Sequence, residues 1–255
     1  GVDNGIMDEP PVAYFRMGSA KQGAPSSHNE LMHADSWPPK STTTKFYLQS
    51  DFGISTTKPK SLNGKPSHNH DQKNPIPTMG EANLRIEKGP MAQRYIGNRD
   101  DYLRFETMPL AEDLVITGKI DLELYVATDG LDTDFMVKLV DIYPDGYEAI
   151  VMDNPIRARY RLGREVGDQR MMTPGKPQLL NIDLWSTAIV FEKGHRIEIH
   201  ISSSNFPRFE INTNTGEAAG ENRIPPRVAR NTIYHNSRYP SSLSLPVVSA
   251  ESLIE

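Results

Sequence analysis

The 255-residue chain contains no cysteine. That removes disulfide frameworks, thiolate nucleophiles and cysteine-ligated zinc, and it leaves the compartment open. Long apolar runs are also missing. The longest, such as 149–152, span four residues against the roughly 18 that a bilayer-crossing helix needs, so no membrane partner is expected. Net positive charge is absent too: the formal charge is -5, which gives no field to hold a phosphate backbone and argues against nucleic acid. There are two tryptophans, Trp37 and Trp185, where carbohydrate-binding faces present several exposed aromatics. Trp185 closes an alternating segment and reads as core. No Gly-x-Ser-x-Gly nucleophile elbow occurs, nor either glycine-rich phosphate loop. A triad serine and a nucleotide therefore have no seat, and the chain is expected to hold no catalytic residue and no cofactor. The opening Gly1-Val2-Asp3-Asn4 has neither an initiator Met nor a basic segment leading into an apolar stretch. It reads as the start of an excised piece.

What is present suits a packed β protein. Hydrophobic residues make up 37% and charged residues 24%, enough apolar side chain for a core. Twenty prolines and eighteen glycines are scattered throughout, and helical periodicity does not persist, so strands between turns are predicted. From Lys119 to Val126, Ile120, Leu122, Leu124 and Val126 alternate with polar or amphipathic residues, which gives one buried and one wet face. Phe135 to Ile142 is apolar on both faces, and Pro144-Asp145-Gly146 supplies a turn before Tyr147 to Met152, predicting a deep hairpin. Leu179 to Leu184 and Arg196 to Ser202 alternate in the same way. These segments predict two packed sheets. Shorter strand-like pieces stand at Val12 to Met17 and Phe46 to Gln49, and the zones 18–43 and 55–92 read as long irregular loops.

Four constellations could carry chemistry. His68-Asn69-His70-Asp71 brings two imidazoles near a carboxylate, but His-x-His in a polar loop is commonly just solvated, and no metal site is predicted there. His195 reads as a satisfied turn residue and His200 as a surface one; their odd spacing sets them on opposite strand faces. Asp129, Asp132 and Asp134 lack the glycine and distal glutamate of a calcium loop, so they are read as capping backbone amides or pairing with Arg157, Arg159 or Arg161. Those three arginines are expected on one strand face.

A series of uncommon strings follows in one order: Asn74-Pro-Ile-Pro-Thr78, Gly89-Pro-Met-Ala-Gln-Arg94, Asp132-Thr-Asp-Phe135, Lys138-Leu-Val-Asp-Ile-Tyr-Pro-Asp-Gly146, Arg157-Ala-Arg-Tyr-Arg161, Gly194-His-Arg-Ile197, Ser202-Ser-Ser-Asn-Phe-Pro-Arg208 and Asn212-Thr-Asn-Thr-Gly216. Together with Gly5-Ile-Met-Asp-Glu-Pro-Pro-Val12 and Trp37-Pro-Pro39, they resemble the C-terminal domain of the X-Pro dipeptidyl-peptidase, cocaine esterase and α-amino-acid ester hydrolase family. The resemblance covers nearly the whole chain.

It implies an all-β, jelly-roll β-sandwich of the galactose-binding-like kind. Residues 1–45 would be a connector from an upstream α/β-hydrolase domain plus a first strand, and 46–255 the sandwich proper. All three triad residues would lie upstream, in agreement with the missing elbow. The implied partners are that catalytic domain and, shared with it, a small acyl ester, amide or X-Pro peptide; a homo-oligomeric parent is left open. By position, the loop lent to the substrate pocket is Met79-Gly80-Glu81-Ala82-Asn83-Leu84, with Met79, Gly80, Asn83 and Leu84 as lining and Glu81 departing from the family's Gly-Gly. Asp132, Asp134, Arg157, Arg159, Asn205, Asn212, Asn214 and Gly216 are expected to act structurally. The rival expectation is a carbohydrate-binding module on the same architecture.

Overall fold

The computed structural model describes residues 4–249 apart from 22–25, 27, 166, 219 and 222. Thirteen strands are present: β1 (Val12–Arg16), β2 (Glu30–Ala34), β3 (Thr42–Leu48), β4 (Ile54–Ser55), β5 (Ser67–His70), β6 (Leu103–Glu106), β7 (Leu114–Thr128), β8 (Asp134–Ile142), β9 (Glu148–Arg157), β10 (Gln178–Phe191), β11 (Arg196–Ser202), β12 (Ala229–Tyr234) and β13 (Ser242–Val247). The helical elements among the described residues are three single 3₁₀ turns.

β7 organises the larger sheet. Its alternation extends over fifteen residues, long enough to pair with β10 along one edge and to share its other edge between β13 and β12. The order on that second side is β4-β3-β13-β7-β12-β5. The smaller sheet runs β6-β11-β8-β9, every pair antiparallel. Between the sheets, Ile120, Leu122, Leu124, Val126, Leu180 and Ile182 from the larger meet Phe105, Phe135, Leu139, Ile199 and Ile201 from the smaller. Each such side chain contributes roughly 1.5–3 kcal/mol when fully buried, which makes this two-sheet core the main source of stability. The β8–β9 hairpin turns at Pro144-Asp145-Gly146 as the turn chemistry predicts, with Gly146 at φ +81°.

Three features depart from the sequence reading. The zones 18–43 and 55–92 are not wholly irregular: the first holds β2 and the start of β3, the second β5. The run from Arg157 to Arg161 is not one strand face, because β9 ends at Arg157 and residues 158–160 form a 3₁₀ turn. Trp185 is not core. It is 70% exposed, at φ +70° in the bulge where the β7–β10 register shifts. Leu180, Ile182 and Leu184 take the buried face of β10, so Trp185, one residue on, stands on the outward face with Asn181 and Asp183.

The outer face of the smaller sheet is itself covered. Register aligns Arg104, His200, Lys138 and Asp153 in one row across four strands, and the 74–102 segment lies over that row. Its Ile76, Ile96 and Tyr102 form a second small apolar cluster, and Gln93 reaches down to accept from Lys138 Nζ at 2.9 Å.

Candidate functional site

A mostly apolar cleft of about 470 Å³ opens where three parts of the chain meet. One wall is the N-terminal segment at Met17, Gly18 and Ala20; another is the 81–90 loop; the floor is the β8–β9 hairpin with Asp141, Tyr143 and Ala149–Val151. The loop is tightly held. Glu81 and Gly89 exchange backbone hydrogen bonds at 2.7 and 3.0 Å, and Gln93 Nε2 donates to the Met79 carbonyl at 2.8 Å. Gly80 sits at φ +75°, where a Cβ would come within 2.5 Å of the Gly89 carbonyl oxygen, so both the backbone angle and the contact require glycine. Arg208 ties the loop to the sheet by pairing with Glu81 and, at 2.6 Å, with Asp153.

The four residues expected to line a pocket are spread around this loop. Met79 packs on the Ile76–Ile96–Tyr102 cluster. Gly80 makes the turn, Asn83 is buried with its amide donating to the Gly80 carbonyl, and Leu84 is 99% exposed at the tip. The cleft wall itself is made by Glu81, Ala82, Lys88, Gly89 and Pro90. Sequence position found the loop; its internal glycine turn decides which side chains face which way.

At the floor, His195 Nδ1 meets Asp141 Oδ1 at 2.9 Å, and Tyr143 stacks on the imidazole at 4.4 Å between centroids. Burial pushes the Asp141 carboxyl above the usual range although His195 opposes it. An imidazole oriented by a carboxylate is two-thirds of a hydrolytic triad. Among the described residues, however, no serine or threonine hydroxyl is hydrogen-bonded to His195, so the pair braces the hairpin.

The motif residues form a second, buried polar centre. Arg157 clamps Asp134 through Nε and Nη2 at 2.8 and 3.0 Å, and Arg159 holds Asp132 through Nε at 2.7 Å and its backbone N–H at 2.9 Å. Asn212 bridges the two carboxylates, donating to Asp134 at 2.7 Å and to Asp132 at 3.2 Å. Desolvation still raises the Asp134 carboxyl, because it is removed from water on all sides. Asn214, at φ +59°, accepts from Thr133 and donates to the Arg227 carbonyl. Gly216, at φ +86°, closes the turn against Leu131. Asn205 donates to Asp153 at 2.7 Å. Among the described residues Arg161 meets no carboxylate; it donates to the carbonyls of Ala158, Arg170 and Met171. Asp129 is paired with Arg227 at 3.0 Å.

His200 is fully buried rather than on the surface, because the 93–102 segment covers its strand face. Its Nδ1 is 2.6 Å from Tyr102 Oη and its Nε2 is bonded to Glu198. Glu148, Glu198 and His200 offer atoms within 4.8 Å of one another, a spacing a metal could use. Both imidazole nitrogens are already engaged, though, and Arg104 occupies Glu148 at 3.0 Å, so the cluster is a closed hydrogen-bonded chain. Burial lifts Glu198 to about 7 and keeps His200 neutral. A carboxyl raised in the fold binds protons more tightly there than in the unfolded chain. Its contribution is complete below its unfolded value near 4.5 and is lost as pH rises through about 7. Stability is therefore expected to fall between pH 5 and 7.5, and Glu198→Gln, which keeps a donor for His200, to flatten that slope. Thermal melts of both proteins across this range check it; equal slopes would remove Glu198 as the cause.

Comparison with known proteins fits this geometry. Residues 4–244 match the family model described as the X-Pro dipeptidyl-peptidase C-terminal non-catalytic domain. The chain is 32% identical to the cocaine esterase of Rhodococcus sp. (strain MB1 Bresler) over 97% of its own length and 43% of the esterase. It is 27% identical to a putative serine esterase of Mycobacterium bovis, over 97% of this chain and 39% of that one. Among solved structures, an α-amino acid ester hydrolase superposes with a TM-score of 0.82 at 27% identity, covering 94% of this chain and 41% of that one. An aminopeptidase from a marine sediment Thaumarchaeota archaeon gives 0.78 at 26% identity, over 88% and 39%. The chain thus spans about two-fifths of the relatives it matches. With its two-sheet core, and the motif carboxylates and arginines joined in one buried centre, this chain belongs to the family of X-Pro dipeptidyl-peptidase C-terminal non-catalytic domains.

Proposed function

We propose that this domain docks on the catalytic domain of a serine hydrolase acting on acyl esters, amides or X-Pro peptides, and that its 79–90 loop shapes access to the substrate pocket. In this reading residues 1–45 are the connector from that domain together with the first strand of the sandwich.

One observation carries the reading: apolar surface is concentrated at the N-terminal segment beside the cleft. Ile6, Met7, Phe15, Met17, Leu31 and Trp37 are all exposed large apolar residues. On the β1–β2 ribbon, Phe15 and Leu31 are direct cross-strand partners, and both face outward. Six such residues fall within 32 positions, and the Phe15–Leu31 pair puts two of them side by side on one open face of the ribbon. Leu84, standing at the tip of the loop that walls the cleft, extends the same logic to the pocket.

Hydrolysis of p-nitrophenyl acetate, an α-amino-acid ester and an Ala-Pro p-nitroanilide tests the proposal, with this chain alone and with the catalytic domain of a serine hydrolase of this family added. The chain alone is expected to be inert, and its addition to raise or retune the turnover of the catalytic domain. Turnover by the chain alone that a point mutation within it abolishes would overturn the assignment.

A further inference from the structure

We propose that His68, His70 and Asn231 form a buried site for one divalent transition-metal ion of the zinc class. The argument is independent of the docking face.

β5 pairs antiparallel with β12 so that His68 lies opposite Asn231 and His70 opposite Ala229. Residues two apart on a strand share a face, as do direct cross-strand partners. His68, His70 and Asn231 therefore stand on one side of the sheet. All three are buried.

Each of the three has one polar atom fixed and one left over. His68 Nε2 is 3.0 Å from Ser203 Oγ, and His70 is hydrogen-bonded to the backbone of Asn212. Asn231 Nδ2 donates to Ser203 Oγ at 2.8 Å and to Thr133 Oγ1 at 3.0 Å. The remaining atoms, His68 Nδ1, His70 Nε2 and Asn231 Oδ1, have no hydrogen-bond partner. Buried polar atoms are nearly always satisfied, so three orphans on one face call for a ligand that accepts lone pairs from all of them. A side chain held at one nitrogen with the other free is also how protein imidazoles are oriented toward a metal.

The donor set selects the ion. Two imidazole nitrogens and one amide oxygen suit zinc, cobalt, nickel or copper, whereas calcium would require six to eight oxygens. His68 also forms part of the wall of an open polar cleft of about 620 Å³, lined by Asp71, Asp100 and Asp101 together with Arg230 and with Arg99, which is paired to Asp101. The Glu148–Glu198–His200 cluster, by contrast, has no nitrogen left to offer.

The test is metal loading of the chelator-treated chain. One equivalent of Zn²⁺ should bind and raise the melting temperature by roughly 5–10 °C at a hundredfold excess over Kd. Co²⁺ should give visible absorption of a low-coordinate nitrogen site, and the imidazole ¹⁵N signals of His68 and His70 should move with Zn²⁺ in the unmutated chain. His70→Gln should abolish the Co²⁺ spectrum while melting like the wild type in chelator. No stoichiometric uptake, uptake that survives His70→Gln, or ordered water on the three orphan atoms in a crystal grown with Zn²⁺ would each overturn the site.

Discussion

Asp132→Ala is expected to lower the melting temperature by roughly 6–20 °C, the thermal equivalent of the ~3–5 kcal/mol lost when one partner of a buried ion pair is removed. Asp132 is fully buried, and it accepts from the Arg159 side chain, the Arg159 backbone and Asn212. Without it, the Arg159 guanidinium, itself buried, keeps among the described residues the Glu217 carbonyl as its one acceptor. Asp134→Ala should cost less, because Arg157 is partly exposed and water can replace the lost carboxylate. The ordering distinguishes a desolvated charge from a merely missing contact. Calorimetry of the two variants reads it, and equal losses, or none, would count against the ion pairs as the source of rigidity. Asp132→Asn offers a second reading: it keeps the shape and one acceptor, and should recover part of the loss.

The strands of the core were legible because alternation is local. Ile120, Leu122, Leu124 and Val126 mark a buried face wherever the sheet lies, and the Pro-Asp-Gly turn fixed the hairpin that follows Ile142. The pairing of Asp132 and Asp134 with nearby arginines could also be anticipated, since buried carboxylates require cations. What alternation could not show was cover from a distant segment. His200 and Glu198 occupy positions that face away from the core, and only the 93–102 segment, folded over the smaller sheet, buries them. Trp185 failed for a different reason: it directly follows the buried Leu184, so alternation itself sets it on the outward face with Asn181 and Asp183, whatever its hydrophobicity. His68 and His70 read as a polar loop because Ser67–His70 is too short to announce itself as a strand. Its partner β12 lies more than 150 residues away in sequence. The cleft was hidden for the same reason, since its walls come from three remote parts of the chain.

Phe15→Asp together with Leu31→Asp is expected to abolish association with the catalytic domain while leaving this domain's own fold intact. Both side chains lie on the outward face of the β1–β2 ribbon and contribute nothing to the core cluster. A two-stranded ribbon is marginal by itself, and this one is tied to the sandwich by the backbone of Met17, which bonds Ala188 and Val190 at 2.9 and 2.8 Å on the edge strand β10. The ribbon is thus held in place while its outer face stays open. Burying two large apolar side chains at an interface supplies roughly 3–6 kcal/mol, and replacing them with carboxylates adds the desolvation of two charges. The dissociation constant should rise at least a hundredfold, since about 1.4 kcal/mol corresponds to tenfold, and the melting temperature of the isolated domain should stay within about 2 °C. Leu84→Ala should behave differently. Removing one loop-tip side chain would weaken docking only modestly, but if that tip reaches the pocket it should change the ranking of the three substrates. Titration calorimetry and the substrate panel together separate the roles. Unchanged affinity in the double variant would move the docking face elsewhere on the sandwich, and an unchanged ranking in Leu84→Ala would leave the loop as scaffold alone.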